Sequence, residues 1–162
     1  MKVILGINTF HTDSSACLLI NGKLVAAVEE ERINRQKHYS GYPIQSIKEC
    51  LRIGNVNEEE ITDVAFNTKP KSNFIAKSIF FFKNFNLKNN LHLDRISKKI
   101  SIKKKLLKII KLNKNVKFHY IEHHLSHIAS AFYPSEFKKS NGLSIDGSGD
   151  FVTLAIAECQ NN

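Results

Sequence analysis

Residues 3–28 contain Val3-Ile4-Leu5-Gly6-Ile7, a polar stretch from Asn8 to Ser15, then Ala16-Cys17-Leu18-Leu19-Ile20, Asn21-Gly22 and Leu24-Val25-Ala26-Ala27-Val28. The first run is continuously apolar, as in a strand covered on both faces. Asn21-Gly22 supplies the two positive-φ positions of a type I′ turn, so the second and third runs pair as an antiparallel hairpin. Three strands in thirty residues set the frame for the rest.

Downstream, the pattern alternates. Pro43 precedes apolar residues at Ile44, Ile47, Leu51 and Ile53, with Gly54-Asn55 as a stop, which predicts a short amphipathic helix. Residues 61–66 and 116–121 read as strands, and 123–132 as a helix. Residues 72–88 and 94–113 carry apolar residues at helical spacing among lysines, with a sticky Phe80-Phe81-Phe82 cluster. Residues 143–146 and 151–157 form a last strand pair around Gly147-Ser148-Gly149, a weak echo of the opening strand, polar loop and strand. Three antiparallel strands followed by helices and parallel strands are the ribonuclease-H-like order, and its duplicated form is the actin-like ATPase architecture. The expected fold is therefore α/β. Residues 1–140 form a first lobe, with 69–115 as a lysine-rich helical insertion, and 141–162 begin an incomplete second lobe. A lone hairpin cannot bury its apolar face, so the sequence reads as the front of something longer.

Composition narrows the classes. The 162 residues are 42% hydrophobic and 24% charged, enough for a core and unlike a disordered chain. Apolar stretches reach about eight residues, short of the roughly 20 that a bilayer needs. The N-terminus lacks the features of a secretion signal. Cys17, Cys50 and Cys159 are far apart and form no CxxC, so neither a disulfide framework nor a cysteine zinc site is expected, and a reducing cytoplasm fits. The net charge of +9 is uneven. Residues 69–117 hold 15 of the 24 Lys and Arg and one acid, Asp94, a formal +14 that leaves −5 for the rest. This segment has three readings. It covers the sheet as solvated helices, which ranks first. It binds nucleic acid, although aromatic interleaving is absent from its most basic part. Or it lies on an anionic membrane surface through a stripe of Ile102, Leu106, Ile109 and Ile110.

The strongest chemical signal is Glu122-His123-His124-Leu125-Ser126-His127. On a helix, residues four apart share a face, so His123 and His127 can offer two imidazoles to one metal ion, while His124 points elsewhere. Asp146, at the end of an apolar strand, is placed to add a carboxylate. The competing reading is a helix with surface histidines. The loop 8–15 follows a buried strand, a usual place for ligand contacts, although Asp13, Ser14 and Ser15 also suit a capped turn. Arg32, Arg35 and Lys37 either line a phosphate site or form a solvated edge. Backbone N–H groups at Gly147, Ser148 and Gly149 suit a phosphate contact or only a turn.

The segments Ile4-Leu5-Gly6-Ile7-Asn8…His11…Asp13-Ser14-Ser15-Ala16, Glu29-Glu30-Glu31-Arg32…Arg35…Lys37-His38, His123-His124-Leu125-Ser126-His127…Ala129-Ser130-Ala131-Phe132-Tyr133 and Ile145-Asp146-Gly147 occur in this order. Together they resemble the N-terminal part of the NodU/CmcH-type O-carbamoyltransferases, whereas 69–115 matches poorly. The resemblance implies an actin-like catalytic domain with a divalent metal, commonly iron(II), on His123, His127 and Asp146, and a further aspartate ligand beyond Asn162. It implies a C-terminal domain that makes carbamoyl-adenylate from carbamoyl phosphate and ATP. The carbamoyl group then passes to a hydroxyl of a small-molecule acceptor such as a sugar or antibiotic. It implies that His11 assists the acceptor hydroxyl, although Thr12 stands between His11 and Asp13 where many members have none. It also implies that Lys37 and His38 help bind the activated nucleotide. Asp13 and Ser14, from the loop after the first strand, and Gly147, Ser148 and Gly149, from the echo of that strand and loop, are the candidate cofactor contacts. The alternatives are a tRNA threonylcarbamoyltransferase-like enzyme and a non-catalytic basic binding module.

Overall fold

The computed structural model describes residues 1–69, 72–73, 75, 78–79, 101–149 and 152–160. The opening stretch folds as expected, with strands β1 (Val3–Asn8), β2 (Ser15–Ile20) and β3 (Lys23–Glu29). Asn21 and Gly22 take φ of 49° and 82°, the left-handed pair a type I′ turn needs. One extra residue bulges β3 opposite Leu18 and Leu19. Helices α1 (Glu30–Asn34) and α2 (Ile44–Gly54) follow, then strand β4 (Asp63–Phe66), helix α3 (Ile102–Ile109) and strand β5 (Lys117–Tyr120). The sheet order is β3-β2-β1-β4-β5, with β2 antiparallel to both neighbours and β4 parallel to β1 and β5. This is the ribonuclease-H-like order.

Alternation decides which face of the sheet is buried. Val3, Leu5 and Ile7 are at most 3% exposed, and they share one core with Leu18, Val64 and Phe66, with Ile47, Cys50 and Leu51 of α2, and with Ile102 and Leu106 of α3. Ile4 and Gly6 on the opposite face are only partly buried, so β1 is not covered equally on both faces among the described residues. Burying each large aliphatic side chain stabilises by about 1.5–3 kcal/mol before entropy is counted.

The apolar stripe of α3 therefore faces the sheet. Ile102, Leu106 and Ile110 are core residues, and Ile109 packs against them. That removes the side chains the membrane-surface reading needed, and the sheet-covering reading holds for this helix. Residues 80–100, with the phenylalanine cluster and the start of the second basic helix, lie outside the described residues.

Glu30 shows what pattern reading missed. The exit from β3 turns directly into α1, and Glu30 is 2% exposed. Its carboxylate accepts from the backbone N–H of Gln45 at 3.1 Å and of Ser46 at 2.7 Å. Pro43 gives α2 no side-chain cap, so a distant carboxylate satisfies its free N–H groups and meets the positive end of its dipole.

The chain divides into two compact units, 1–67 with 90–120 and 68–89 with 121–162. In the second, helix α4 (His123–Phe132) packs on the antiparallel pair β6 (Lys139–Gly149) and β7 (Val152–Gln160). This unit thus contains α4 together with the hairpin. Ile128, Phe132 and Cys159 form a small core there. The three cysteines carry free thiols. No helix among the described residues is long and apolar enough to cross a membrane.

Candidate metal centre and adjoining loop

Helix α4 starts on a cap made by its own sequence, because the Glu122 side chain accepts from Leu125 N–H at 2.9 Å. The 3.6-residue repeat then sorts the three histidines. His124 is fully buried, with Nδ1 2.8 Å from Ser144 Oγ and Nε2 2.9 Å from the Val152 carbonyl. A carbonyl only accepts, so Nε2 carries the proton and Nδ1 accepts from the Ser144 hydroxyl. His124 thus ties α4 to both strands of the hairpin and fixes the helix's rotation.

That rotation presents His123 and His127 to Asp146. Their Nε2 atoms are 3.0 Å apart. Asp146 Oδ2 lies 2.8 Å from His123 Nε2 and 3.8 Å from His127 Nε2. Donors about 2.1 Å from a common ion, at tetrahedral to octahedral angles, stand roughly 3–3.5 Å apart. The His123–His127 separation fits that spacing, whereas the two Asp146 contacts fall just outside it, one shorter at 2.8 Å and one longer at 3.8 Å. His123 Nε2 has one proton or one lone pair, yet it faces a carboxylate oxygen and a second imidazole nitrogen. A shared cation satisfies all three lone pairs at once, which a single proton cannot do. The His123 side chain is 7% exposed, whereas His127 is 53% and Asp146 38% exposed. The group is thus buried on the His123 side and open on the other, which would leave a bound cation accessible.

The hydrogen bond from His123, followed by that from the Gly147 N–H, holds the Asp146 carboxyl below the usual carboxylate range. It stays ionised and available as a hard ligand. Gly149 is buried against the His123 ring, where a Cβ would overlap the imidazole. Gly147 faces open space, and its N–H is used on Asp146 Oδ1 at 2.6 Å. Ser148 lies in β6, and its side chain is outside the described residues.

The first unit carries the remaining predicted residues. The loop between β1 and β2 leaves the carboxyl end of β1, where open α/β sheets bind ligands. Asn67 Nδ2 donates to Asn8 Oδ1 at 2.8 Å, and Asn8 Nδ2 donates to the Asp13 carbonyl at 3.0 Å, which fixes the loop to the end of β4. His11 sits within it, half-buried, with Nε2 shielded from solvent. Ser14 is fully buried, and its hydroxyl contacts the Gly41 carbonyl at 2.8 Å and the His11 carbonyl at 3.2 Å. These contacts make Ser14 a loop-building residue.

Asp13 and His38 meet, with Oδ1 3.1 Å from Nδ1, and the His38 N–H donates to Glu31 Oε2 at 2.8 Å. Asp13 and His38 both have positive φ, 61° and 54°. Their ligand atoms and one from Glu31 lie within 4.8 Å of one another, a second group of donors. Lys37 is exposed beside His38. Arg32, a candidate phosphate contact, instead pairs with Glu29 at 2.9 Å and Glu31 at 3.5 Å. Sequence reasoning missed Glu31 and Ser144. Ser144 had no signal, because a serine in a strand is unremarkable until a buried imidazole faces it.

Comparison with known proteins gives the family. Residues 3–162 match the model of the family described as carbamoyltransferase N-terminus. The chain is 33% identical over its whole length to the uncharacterized protein sll1178 of Synechocystis sp., covering 28% of that protein. It is also 33% identical, over 93% of its length, to nodulation protein NolNO of Sinorhizobium fredii, covering 22% of it. It therefore spans about a quarter of the length of these curated relatives. Among solved structures, YeaZ from Pseudomonas aeruginosa is similar over 98% of this chain and 67% of that one, at 11% identity and a TM-score of 0.46. With a family match across nearly all of its residues, the chain belongs to the carbamoyltransferase N-terminus family.

Proposed function

We propose that this chain is the metal-binding N-terminal part of an O-carbamoyltransferase. In this reading a carbamoyl group moves from carbamoyl-adenylate, made from carbamoyl phosphate and ATP by a C-terminal domain, to a hydroxyl of a small-molecule acceptor. The observation that carries it is the convergence of His123, His127 and Asp146 within 3.8 Å in a chain of this family.

His123, His127 and Asp146 would hold the cation, and iron(II) is the ion the family resemblance suggests. When bound, a divalent cation supplies Lewis-acid polarisation of the carbamoyl group. The acceptor oxygen bonds to the carbamoyl carbon, the bond from that carbon to the adenylate phosphate oxygen breaks, and AMP leaves with the electron pair. The hydroxyl proton passes to the His11 imidazole. Lys37 and His38 bind the nucleotide phosphate, with Asp13 orienting the His38 ring through Nδ1.

An apolar face supports the larger assembly this reading requires. Leu143 pairs across the hairpin with Ile156, and Ile145 with Leu154, and all four are 51–72% exposed. Four large aliphatics on one two-stranded face need a covering layer. The reading is tested by giving this chain the C-terminal part of NolNO, with iron(II), carbamoyl phosphate, ATP and a panel of sugar acceptors. Carbamoylated product that disappears with His127→Ala supports it, and product that persists undiminished in that variant contradicts it.

A further inference from the structure

In α3, Ile102 and Leu106 define the buried stripe, which Ile110 continues just past the helix end, and this setting puts Lys103 and Lys105 on its two flanks. Lys103 lies over the Phe118 ring of β5, 4.1 Å from its centroid. Lys105 reaches the other way, to the loop after β1, with its ammonium 4.5 Å from the centroid of the Phe10 ring. Lys105 is half-buried, whereas Lys104 and Lys108 are exposed.

The contact belongs to a closed circuit. Phe10 meets Tyr42 edge-on at 6.0 Å, and the buried Tyr42 hydroxyl donates to the Ile102 carbonyl at 3.4 Å. The path starts at Ile102, passes through Tyr42 and Phe10, and returns to α3 at Lys105. Phe10 is held at φ 58°, a conformation an aromatic residue rarely adopts and one that collects at functional sites. The next residue is His11.

An aromatic face attracts the ammonium but leaves its charge uncancelled. Among the described residues no carboxylate lies within ion-pair distance of Lys105, and residues 101–117 contain seven lysines and no acid. By contrast, Lys111 pairs with Glu59 at 3.1 Å. A half-buried, positioned cation at the carboxyl end of β1, without a counter-ion among the described residues, suits an anion.

We infer that Lys105, seated on Phe10, binds a phosphate or carboxylate group of a ligand at the His11 loop, so that α3 forms part of the substrate site. The identity of the anion rests on the carbamoyl-transfer reading. It is either the phosphate of the carbamoyl donor or an acidic group on the acceptor.

Titration of this chain with inorganic phosphate, glucose 1-phosphate and neutral glucose tests it, followed by NMR of the Phe10 ring and by calorimetry. Lys105→Gln should weaken phosphate-ligand binding at least tenfold, Lys105→Arg less than threefold, and the exposed control Lys108→Gln less than twofold. Glucose should not bind. Inorganic phosphate binding as tightly as the sugar phosphate assigns the site to the donor, and a tighter sugar phosphate assigns it to the acceptor. Equal weakening by Lys105→Gln and Lys108→Gln would mean a diffuse lysine field and overturn the inference, as would absence of binding by either phosphate probe. Loss of binding in Lys105→Gln counts only with an unchanged thermal midpoint, and the Arg variant decides if that midpoint falls. The metal centre lies in the other unit, so cation binding measured on the same samples separates failure here from failure of the transferase reading.

Discussion

Gly149 faces the His123 ring so closely that no side chain fits between them. A glycine in a strand usually weakens it. Here it lets β6 approach the imidazole that anchors the candidate metal centre. Gly149→Ala should displace the His123 ring and weaken divalent-cation binding more than tenfold. Gly147→Ala, two residues away in open space, should stay within threefold. Calorimetric titration with manganese or zinc checks both, and similar affinities for the two variants would contradict the role assigned to Gly149.

Adjacent histidines should separate function from stability. His127 is half exposed and belongs to the donor trio, so His127→Ala should abolish cation binding while changing unfolding free energy by less than about 1 kcal/mol. His124 is fully buried between Ser144 and Val152, so His124→Ala leaves a cavity and strands two polar groups, at a cost of about 2–4 kcal/mol. Denaturant titrations in which both variants fall equally would contradict this division.

Removal of the buried Glu30 carboxylate leaves two N–H groups of α2 without their acceptor. Glu30→Ala should cost about 1–3 kcal/mol. Glu59→Ala, which breaks an exposed pair with Lys111, should cost less than about 1 kcal/mol. The comparison is read from chemical unfolding midpoints, and a Glu30 variant as stable as the Glu59 variant would refute the capping role.

Acid sensitivity should trace partly to Asp63. Its carboxylate contacts His119 Nε2 at 2.7 Å and the Thr62 hydroxyl at 2.8 Å. The His119 contact, followed by Thr62, holds its carboxyl below the usual carboxylate value. The unfolded chain therefore binds this proton more readily than the folded one. The stabilisation is complete above the ordinary carboxylate pKa of about 4 and is lost as pH falls through the lower folded value. Stability measured from pH 7 down to pH 2 should fall less steeply in Asp63→Asn, and identical slopes would contradict the assignment.

Much of the first unit was legible because its signals are local. The Asn21-Gly22 turn, the 3.6-residue spacing from Ile44 to Ile53, and the apolar runs at Val3 and Val64 each act within a few residues. The i,i+4 pair His123 and His127 was legible for the same reason, and Asp146 was reached because an acid after the apolar run at 143–145 stands out, although β6 continues through it to Gly149. Contacts between distant residues were not legible. Nothing around Glu30 shows that it caps a helix fifteen residues later, and nothing around Lys105 shows that its ammonium rests on Phe10. The position of α4 beside the hairpin also depended on His124, Ser144 and Val152 meeting in space, which no periodicity encodes.

The central claim is that His123, His127 and Asp146 share one divalent cation. The direct measurement is anaerobic loading of the purified chain with iron(II), removal of free metal, and counting of bound iron per chain. The account predicts close to one iron in the native chain and close to none in His127→Ala and Asp146→Ala variants that remain folded. Native-level iron in both variants, or none in the native chain under iron, manganese and zinc alike, would contradict it.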